Sequence, residues 1–350
     1  MTLAYINRIG TALPPHEAHG TFLEWAESRI RDKRRVALFR RMASRSGIAL
    51  RWTVLTPPPG GTQTGTGGFY GDGGMPPTSA RMAIYADAAP DLSIAATKSL
   101  GRLDDVTHVV LASCTGFVAP GIDQIVARRL GLSDTVERTL IGFMGCYAAV
   151  AALRTARHIV RSEPAAKVLV ITVELCSLHL QNENDVDQIL TMLLFGDGAA
   201  AALVSAEPVG IQMDSVFSST LEDSAELIGW TIGDTGFDMT LSGAVPARIA
   251  EAIGDGKMES QFGAADAVDS WAVHAGGRTV LDAVERGFGL DPAMLEHSRA
   301  VLRDCGNMSS ATLMFVLRRI LDSGEQVGNG VALAFGPGLA VEGFRYRMAA

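Results

Sequence analysis

The feature that most constrains this chain is an alternation of short apolar runs with longer amphipathic stretches, which begins near Ser79 and restarts after Phe195-Gly196-Asp197-Gly198. Each run followed by helical periodicity reads as a strand-then-helix unit. The first series predicts a helix over 79–100, a strand over 106–113, a helix over 121–130, a short strand over 139–142, a helix over 146–161 and a strand over 167–174. An apolar strand over 199–204 closes it. The second series predicts a strand near 211–219, a helix from Ala247, a strand over 268–273, helices from Gly277, Pro292 and Ser309, and strands over 330–335 and 340–347. Units of this length imply a parallel sheet covered by helices on both faces. Two series of similar plan imply a duplicated α/β architecture. Ahead of them, 3–9 reads as a strand and 21–46 as one or two amphipathic helices. Segment 57–77 is too rich in Gly and Pro for regular structure and reads as a long surface loop within a domain.

Composition narrows the function classes. With 350 residues, 47% hydrophobic and 19% charged, the chain has the material for a large core and two packed units. No apolar run approaches the ~18 residues that span a bilayer, and the N-terminus lacks a signal-peptide layout, so a cytoplasmic protein is expected. A net charge of −8 speaks against a general nucleic-acid surface. The cysteines Cys114, Cys146, Cys176 and Cys305 show no CxxC spacing, which argues against a disulfide framework and a structural zinc site. No ligand cluster implies a metal or redox cofactor. One region departs from the acidic average: Arg31, Lys33, Arg34, Arg35, Arg40, Arg41 and Arg45 have Asp32 as the sole acid among them. That pattern fits a solvated helix face or a dock for a small polyanion such as the phosphates of coenzyme A.

Cys146 stands in Gly142-Phe143-Met144-Gly145-Cys146-Tyr147-Ala148-Ala149, between an apolar run and an alanine-rich helical pattern. Unpaired N–H groups at a helix start favour the thiolate, the form that attacks carbonyl carbon. A cysteine nucleophile also needs a base or imidazolium partner, and a reaction through an oxyanion needs donors aimed at it. His274 in Trp271-Ala272-Val273-His274-Ala275-Gly276-Gly277 and Asn307 in Cys305-Gly306-Asn307-Met308-Ser309-Ser310 supply one of each.

The surrounding motifs resemble those of the type III polyketide synthases of bacterial type, the chalcone-synthase-like branch of the thiolase superfamily. Gly145-Cys146-Tyr147-Ala148, Leu194-Phe195-Gly196-Asp197-Gly198, His274-Ala275-Gly276-Gly277, Gly306-Asn307-Met308-Ser309-Ser310-Ala311 and Phe335-Gly336-Pro337-Gly338-Leu339 occur in the family's order and near its spacing. The resemblance implies a thiolase-like duplicated αβαβα layered fold. Residues 1–208 would form the half carrying Cys146, and 209–350 the half carrying His274 and Asn307. It implies an acyltransferase that loads an acyl starter from acyl-CoA on Cys146 and extends it with malonyl-CoA by decarboxylative Claisen condensation. Cyclisation would give a pyrone, resorcinol or phloroglucinol-type product. His274 would hold Cys146 as thiolate through an ion pair, and His274 with Asn307 would stabilise the malonyl-derived enolate.

By the same resemblance Phe195 is the gate between a coenzyme A tunnel and an elongation cavity. Met239 replaces a second gatekeeping phenylalanine, and Cys114, Thr115, Cys176, His179, Trp230 and Ser309 fall at substrate-binding positions. For Cys114 and Cys176 simple burial is the stronger reading of the residues themselves, and His179 reads equally as a cavity donor or a satisfied structural histidine. Arg41 and Arg45 match cations that hold coenzyme A phosphates. A family lysine is replaced by Leu38, for which Arg34 and Arg35 are candidate substitutes. The family is usually homodimeric, and the position that reaches the neighbouring cavity is here Ala119, too short to do so. No cofactor is implied beyond the coenzyme A thioester substrates. The alternatives are a ketoacyl synthase III-like fatty-acid condensing enzyme, a cysteine hydrolase, and a non-catalytic acyl-CoA-binding relative.

Overall fold

Two runs dominated by Val, Ile, Leu and Ala, Val168–Leu175 and Asp197–Ser205, are buried along their whole length in the computed structural model, which describes residues 2–71, 74–256 and 258–349. They lie at the centre of the first half of the chain. That half runs β1 (Ala4–Ala12), β2 (His16–Glu17), α1 (His19–Arg29), α2 (Lys33–Ala43), β3 (Trp52–Thr53), α3 (Thr78–Lys98) and β4 (His108–Ser113). It continues with α4 (Ile122–Arg129), β5 (Glu137–Gly142), α5 (Ala148–Ser162), β6 (Val168–Leu175), α6 (Val186–Met192) and β7 (Asp197–Ser205). The second half runs β8 (Ile211–Thr220), β9 (Ile228–Gly233), β10 (Gly236–Leu241), α7 (Val245–Gly254), α8 (Glu259–Phe262) and β11 (Ser270–Val273). It ends with α9 (Arg278–Phe288), α10 (Glu296–Cys305), α11 (Ala311–Ser323), β12 (Gly330–Gly336) and β13 (Ala340–Met348).

Nine strands connect in the order β11-β12-β13-β8-β1-β7-β6-β4-β5. The expected parallel sheet is therefore a mixed one: β4 pairs parallel with β5 and β6, and β11 with β12, while every pairing between those groups is antiparallel. Periodicity reports burial on both faces, which central strands of either kind share, so it does not fix strand direction. The duplication is visible in the topology. From β4 the order runs β6, β7, β1, and from β11 it runs β12, β13, β8, with the same sequence of parallel and antiparallel pairings. The two groups join where β1 pairs with β8 through only three residue pairs.

Between the groups lie α5 and α11. Helix α5 packs on β4, β6 and β7 and reaches β13, and α11 packs on β1, β6 and β7 and on β11 and β12. Alanines at 148, 149, 152 and 156 let α5 approach closely to Ala200 and Ala202 of β7 in one core cluster. Helices α3 and α4 cover the outer face of the first group, and α7 and α9 with the buried Trp271 build the core outside the second. The layers are thus helix, sheet, helix, sheet, helix. No helix among the described residues is long and apolar enough to cross a membrane.

Two segments differ from the sequence reading. Residues 228–241 form the hairpin β9–β10, whose alternation around Gly233-Asp234-Thr235-Gly236 was the signal for it. Among its described residues the Gly/Pro-rich segment has no helix or strand, yet it is not wholly a surface loop: Gln63 and Tyr70 are buried, and the Tyr70 hydroxyl donates to the Ser177 carbonyl.

Leu153 of α5 is fully buried in the central helical layer. Leu153→Ala is expected to lower stability by about 2–5 kcal/mol in urea denaturation, as large-to-small changes in closed cores do. A loss under about 1 kcal/mol would show that this layer collapses around the gap.

Candidate active site

Strand β5 ends at Gly142, and the chain then turns through Phe143 at φ 58° and Gly145 at φ 70° into a tight turn, Gly145–Tyr147, that opens α5. A non-glycine residue in the left-handed region is strained, and strain of this kind concentrates at functional sites. The loop after β12 presses on this turn. A Cβ on Gly145 would lie 2.5 Å from Pro337 Cδ, and one on Gly336 would lie 2.6 Å from Tyr147 Cδ1 and 3.4 Å from the Cys146 nitrogen. Glycine at both positions is what lets the two segments meet. Cys146 is left buried at the mouth of α5, its sulfur within hydrogen-bond reach of Ser309 and Asn307.

Asn307 begins the corresponding turn before α11, where Ser309 is held at φ 46°. Its Oδ1 accepts from the Ser309 N–H at 2.8 Å and its Nδ2 donates to the Gly276 carbonyl at 3.2 Å, so the amide cannot flip. A second Nδ2 hydrogen remains for a ligand. His274 follows directly on β11, its N–H donating to the Leu333 carbonyl. Its imidazole is 1% exposed, and neither ring nitrogen has a hydrogen-bond partner among the described residues. A buried polar atom left unpaired costs about 1–3 kcal/mol, so this ring is arranged for a group that comes from outside the chain.

Burial sets the charges. It pushes the Cys146 thiol up to about 12, against the hydrogen bonds of Ser309 and Asn307 that favour the thiolate, and it pushes the His274 imidazole down to about 3. The expected thiolate, favoured by a helix start, is therefore opposed by desolvation. Either ion alone is disfavoured, whereas moving the thiol proton to the imidazole creates no net charge and meets much less resistance.

Behind the nucleophile lies Glu174, on β6 and wholly buried, which the sequence reading missed. It accepts from the Cys114 N–H at 3.0 Å, the Cys114 thiol at 3.4 Å, the Thr115 hydroxyl at 2.9 Å and the Ser310 hydroxyl. The Cys114 sulfur in turn meets the Ser309 hydroxyl at 3.3 Å. Burial, opposed by these hydrogen bonds, raises Glu174 from 4.5 to about 7. A lone Glu in an otherwise apolar strand run, VLVITVEL, was the available signal.

Cys146, His274 and Asn307 line one cavity of about 790 Å³, open to solvent, together with Phe195, Met239, Phe335 and Gly336. Phe195 and Met239 also line a second, much smaller chamber of about 90 Å³, whose walls include Cys176, His179 and Trp230. Phe195 thus stands between the two spaces. Its segment bridges to the catalytic turn, Gly196 N–H to the Asn307 carbonyl at 3.0 Å and Asn307 N–H to the Leu194 carbonyl at 2.8 Å. On its other side the buried Arg51 donates to the Phe195 carbonyl at 2.7 Å.

The remaining expected site residues separate into wall and support. Trp230 and Met239 are cross-strand partners in the β9–β10 hairpin, and the Trp230 indole N–H donates to the Cys114 carbonyl at 2.8 Å. His179 is a satisfied histidine: Nε2 meets the Thr115 carbonyl at 2.8 Å, Nδ1 accepts from the Phe237 N–H at 3.1 Å, and the ring stacks on Phe237 at 4.2 Å. It offers the chamber a ring and no free donor. Cys114, Thr115 and Ser309 line neither space, being buried against Glu174 and Cys146. At the outer end of the larger cavity stand Arg45 and Met42. Arg41 is exposed beside them, and Arg34 and Arg35 are exposed earlier along α2, outside the lining. The cation that joins Arg45 is Arg278, whose guanidinium donates to the Arg45 carbonyl at 3.2 Å.

Comparison with known proteins finds similarity along nearly the whole chain. The family model described as chalcone and stilbene synthases, N-terminal domain, matches residues 3–208, and that for the C-terminal domain matches residues 212–349. The alpha-pyrone synthesis polyketide synthase-like Pks18 of Mycobacterium tuberculosis is 34% identical over 285 residues, 76% of this chain and 72% of that protein. Bisdemethoxycurcumin synthase of Oryza sativa subsp. japonica is 31% identical over 376 residues, 97% of this chain and 91% of that protein. Among solved structures, PKS-I of the brown alga Ectocarpus siliculosus superposes with a TM-score of 0.88 at 29% identity, covering 99% of each chain.

Glu174 makes a separable contribution to stability. Its folded pKa lies above its ordinary 4.5, so that contribution is complete below 4.5 and is lost as pH rises toward about 7. At about 1.4 kcal/mol per pH unit the loss comes to about 3 kcal/mol. Glu174→Gln does not titrate, so wild-type stability should fall by about that amount relative to the variant between pH 4.5 and 7.5 in urea denaturation. A difference independent of pH would show that Glu174 does not titrate in this range.

Proposed function

Because this chain belongs to the chalcone and stilbene synthase family and is a type III polyketide synthase, a CoA-dependent acyltransferase, we propose that Cys146, His274 and Asn307 perform its loading and condensation chemistry. The observation that carries this assignment is the pair of unpaired, buried His274 ring nitrogens beside the fixed Asn307 amide, in the cavity that holds Cys146.

In the loading step the Cys146 proton passes to His274, and the thiolate attacks the carbonyl carbon of an acyl-CoA. The carbon–sulfur bond to coenzyme A breaks, and the departing thiolate takes the proton back from His274. Asn307 and Ser309 hydrogen bonds stabilise the attacking sulfur. In extension, malonyl-CoA places its thioester oxygen between His274 and Asn307 Nδ2. Carbon dioxide leaves, the electron pair moves onto that oxygen, and the two donors hold the enolate. The enolate carbon then attacks the Cys146 thioester, joins to its carbonyl carbon and releases the sulfur. Arg45 and Arg278 at the outer end of the cavity hold coenzyme A phosphates, with Arg41 adjoining; guanidinium forks suit phosphate oxygens. No cofactor takes part beyond the thioester substrates.

Phe195 divides entry tunnel from elongation chamber, and Trp230, Met239, Cys176 and His179 shape the chamber in which the chain grows and cyclises. The product is of pyrone, resorcinol or phloroglucinol type, and the alpha-pyrone synthesis named for Pks18 supports the first. Incubation with malonyl-CoA and a panel of short, aromatic and long-chain acyl-CoAs, with products identified by mass, gives starter and ring directly. The working form is a cytoplasmic homodimer. Strand β5 is a sheet edge with Glu137, Arg138, Thr139 and Leu140 exposed, and Phe117, 48% exposed, packs beside it in a tilted contact with Phe143. An unpaired edge flanked by apolar side chains is stabilised by pairing with a second copy about a two-fold axis.

Two sets of measurements test these assignments. Cys146→Ala should form no acyl-enzyme by intact mass yet still decarboxylate malonyl-CoA, since the sulfur takes no part in enolate formation. His274→Ala and Asn307→Ala should each lose decarboxylation by roughly 100- to 1000-fold. In His274→Ala the pH midpoint of iodoacetamide alkylation should also rise, because the thiol has lost its proton acceptor. Unchanged carbon dioxide release in either variant would remove that residue from its role. For the assembly, light scattering should give a dimer, and Leu140→Lys should yield monomers; a monomeric wild type at micromolar concentration would refute the edge pairing.

A further inference from the structure

On an acidic chain of net charge −8, the outer face of α2 is a block of unneutralised cations. Arg34, Arg35 and Arg41 are exposed and have no carboxylate partner among the described residues, whereas Arg40, also exposed, pairs with Glu27. Between them Leu38 and Met42 expose 38% and 44% of their surface. Residues 34, 38, 41 and 42 fall on one side of a helix, so the face is a basic stripe with an apolar centre. Met42 itself lines the outer end of the catalytic cavity, and Arg34 lies about 12 Å farther out along the helix at 1.5 Å per residue.

That reach matters. The phosphates of one coenzyme A are served by cations at the mouth, and a stripe that continues two turns beyond it has no contact to make with a small molecule. Like charges kept together in this way repel one another unless an anionic surface covers them. Exposed leucine and methionine among arginines are what a protein surface, with apolar as well as acidic groups, would use.

We propose that this face docks a small acidic carrier protein that delivers the acyl starter on a phosphopantetheine arm. The arm of such a protein is chemically the same as that of coenzyme A up to its phosphate, so a cavity that admits one admits the other. What distinguishes the carrier is a ring of carboxylates around the arm's attachment point, and α2 sets its arginines beside the mouth where that ring would lie. The Cys146 thiolate attacks the carrier-bound thioester, a thioester to Cys146 forms, and the pantetheine sulfur leaves with the proton held by His274. Malonyl units still arrive from coenzyme A. The proposal rests on the type III reading of the catalytic site.

The test compares two donors of one acyl group: its CoA thioester, and its thioester on the acyl carrier protein of a bacterial fatty-acid synthase. The group chosen is the one that loads fastest from CoA in the panel above. Cys146 acylation is followed by intact mass at 50 and 300 mM salt, for the wild type and for Arg34→Glu/Arg35→Glu. Expected is loading from both donors, with carrier-dependent loading falling about tenfold or more in the double variant and in high salt, while CoA-dependent loading is unchanged. Three results would overturn the proposal: no carrier-dependent loading where CoA loads, equal losses with both donors, or loss of binding to phosphatidylglycerol vesicles in the double variant without any carrier effect. The last would assign the stripe to a membrane surface. Failure of the wild type to load from any CoA thioester would instead refute the type III reading.

Discussion

The structure depends on the enclosure of two helix starts. The first six residues of α5 and the first seven of α11 are buried on all sides, because sheet lies on both faces of the central layer. A helix end leaves N–H groups unpaired, and inside protein those groups need partners as much as any other buried polar atom. Here the partners are the site. Cys146 opens the approach to α5, Asn307 and Ser309 open the approach to α11, and each turn carries a residue in the left-handed region to aim its side chains. The duplication extends to the strands. Cys114 follows β4 as His274 follows β11, so matching positions of the two halves hold a thiol tied to Glu174 and an imidazole tied to nothing.

Electrostatics follows from the same enclosure. Desolvation opposes every isolated charge in this layer: it raises Cys146, Cys114, Cys176 and Glu174 and lowers His274 and His179. A site of this kind rests neutral and becomes charged only in balanced pairs. An ion pair between sulfur and imidazole, or an enolate held by donors already in place, needs no reorganisation of water when it forms. Arg51 shows the structural counterpart, a guanidinium buried against backbone carbonyls and the His19 ring, which fixes the segment carrying Phe195.

Much of this was legible in the sequence. Strand-helix alternation located nearly all of the long elements, and the motif around each of Cys146, His274 and Asn307 placed the three residues that the fold brings to one cavity. What was hidden has physical reasons. Strand direction escaped because burial on both faces looks the same in parallel and antiparallel strands. The β9–β10 hairpin escaped because Trp230 and Met239 were read as isolated substitutions, whereas their shared alternation about a Gly-Asp-Thr-Gly turn makes them neighbours. Glu174 was overlooked as one acid in a strand, since its meaning lies in Cys114, Thr115 and Ser310, two of them sixty or more residues away in sequence. The cation beside Arg45 came from Arg278, across the fold, and no local pattern joins the two.

The backbone bridge between Phe195 and Asn307 separates two kinds of change open to such a chain. A substitution that shifts the backbone at the gate pulls on the turn that orients the catalytic amide, so remodelling there trades turnover for shape. The β9–β10 hairpin has no such tether to Asn307 and presents Trp230 and Met239 side by side to the growing chain. Lineages built on this frame can therefore diversify their products on the hairpin while the chemistry stays constant, and it is there that differences in product length should accumulate.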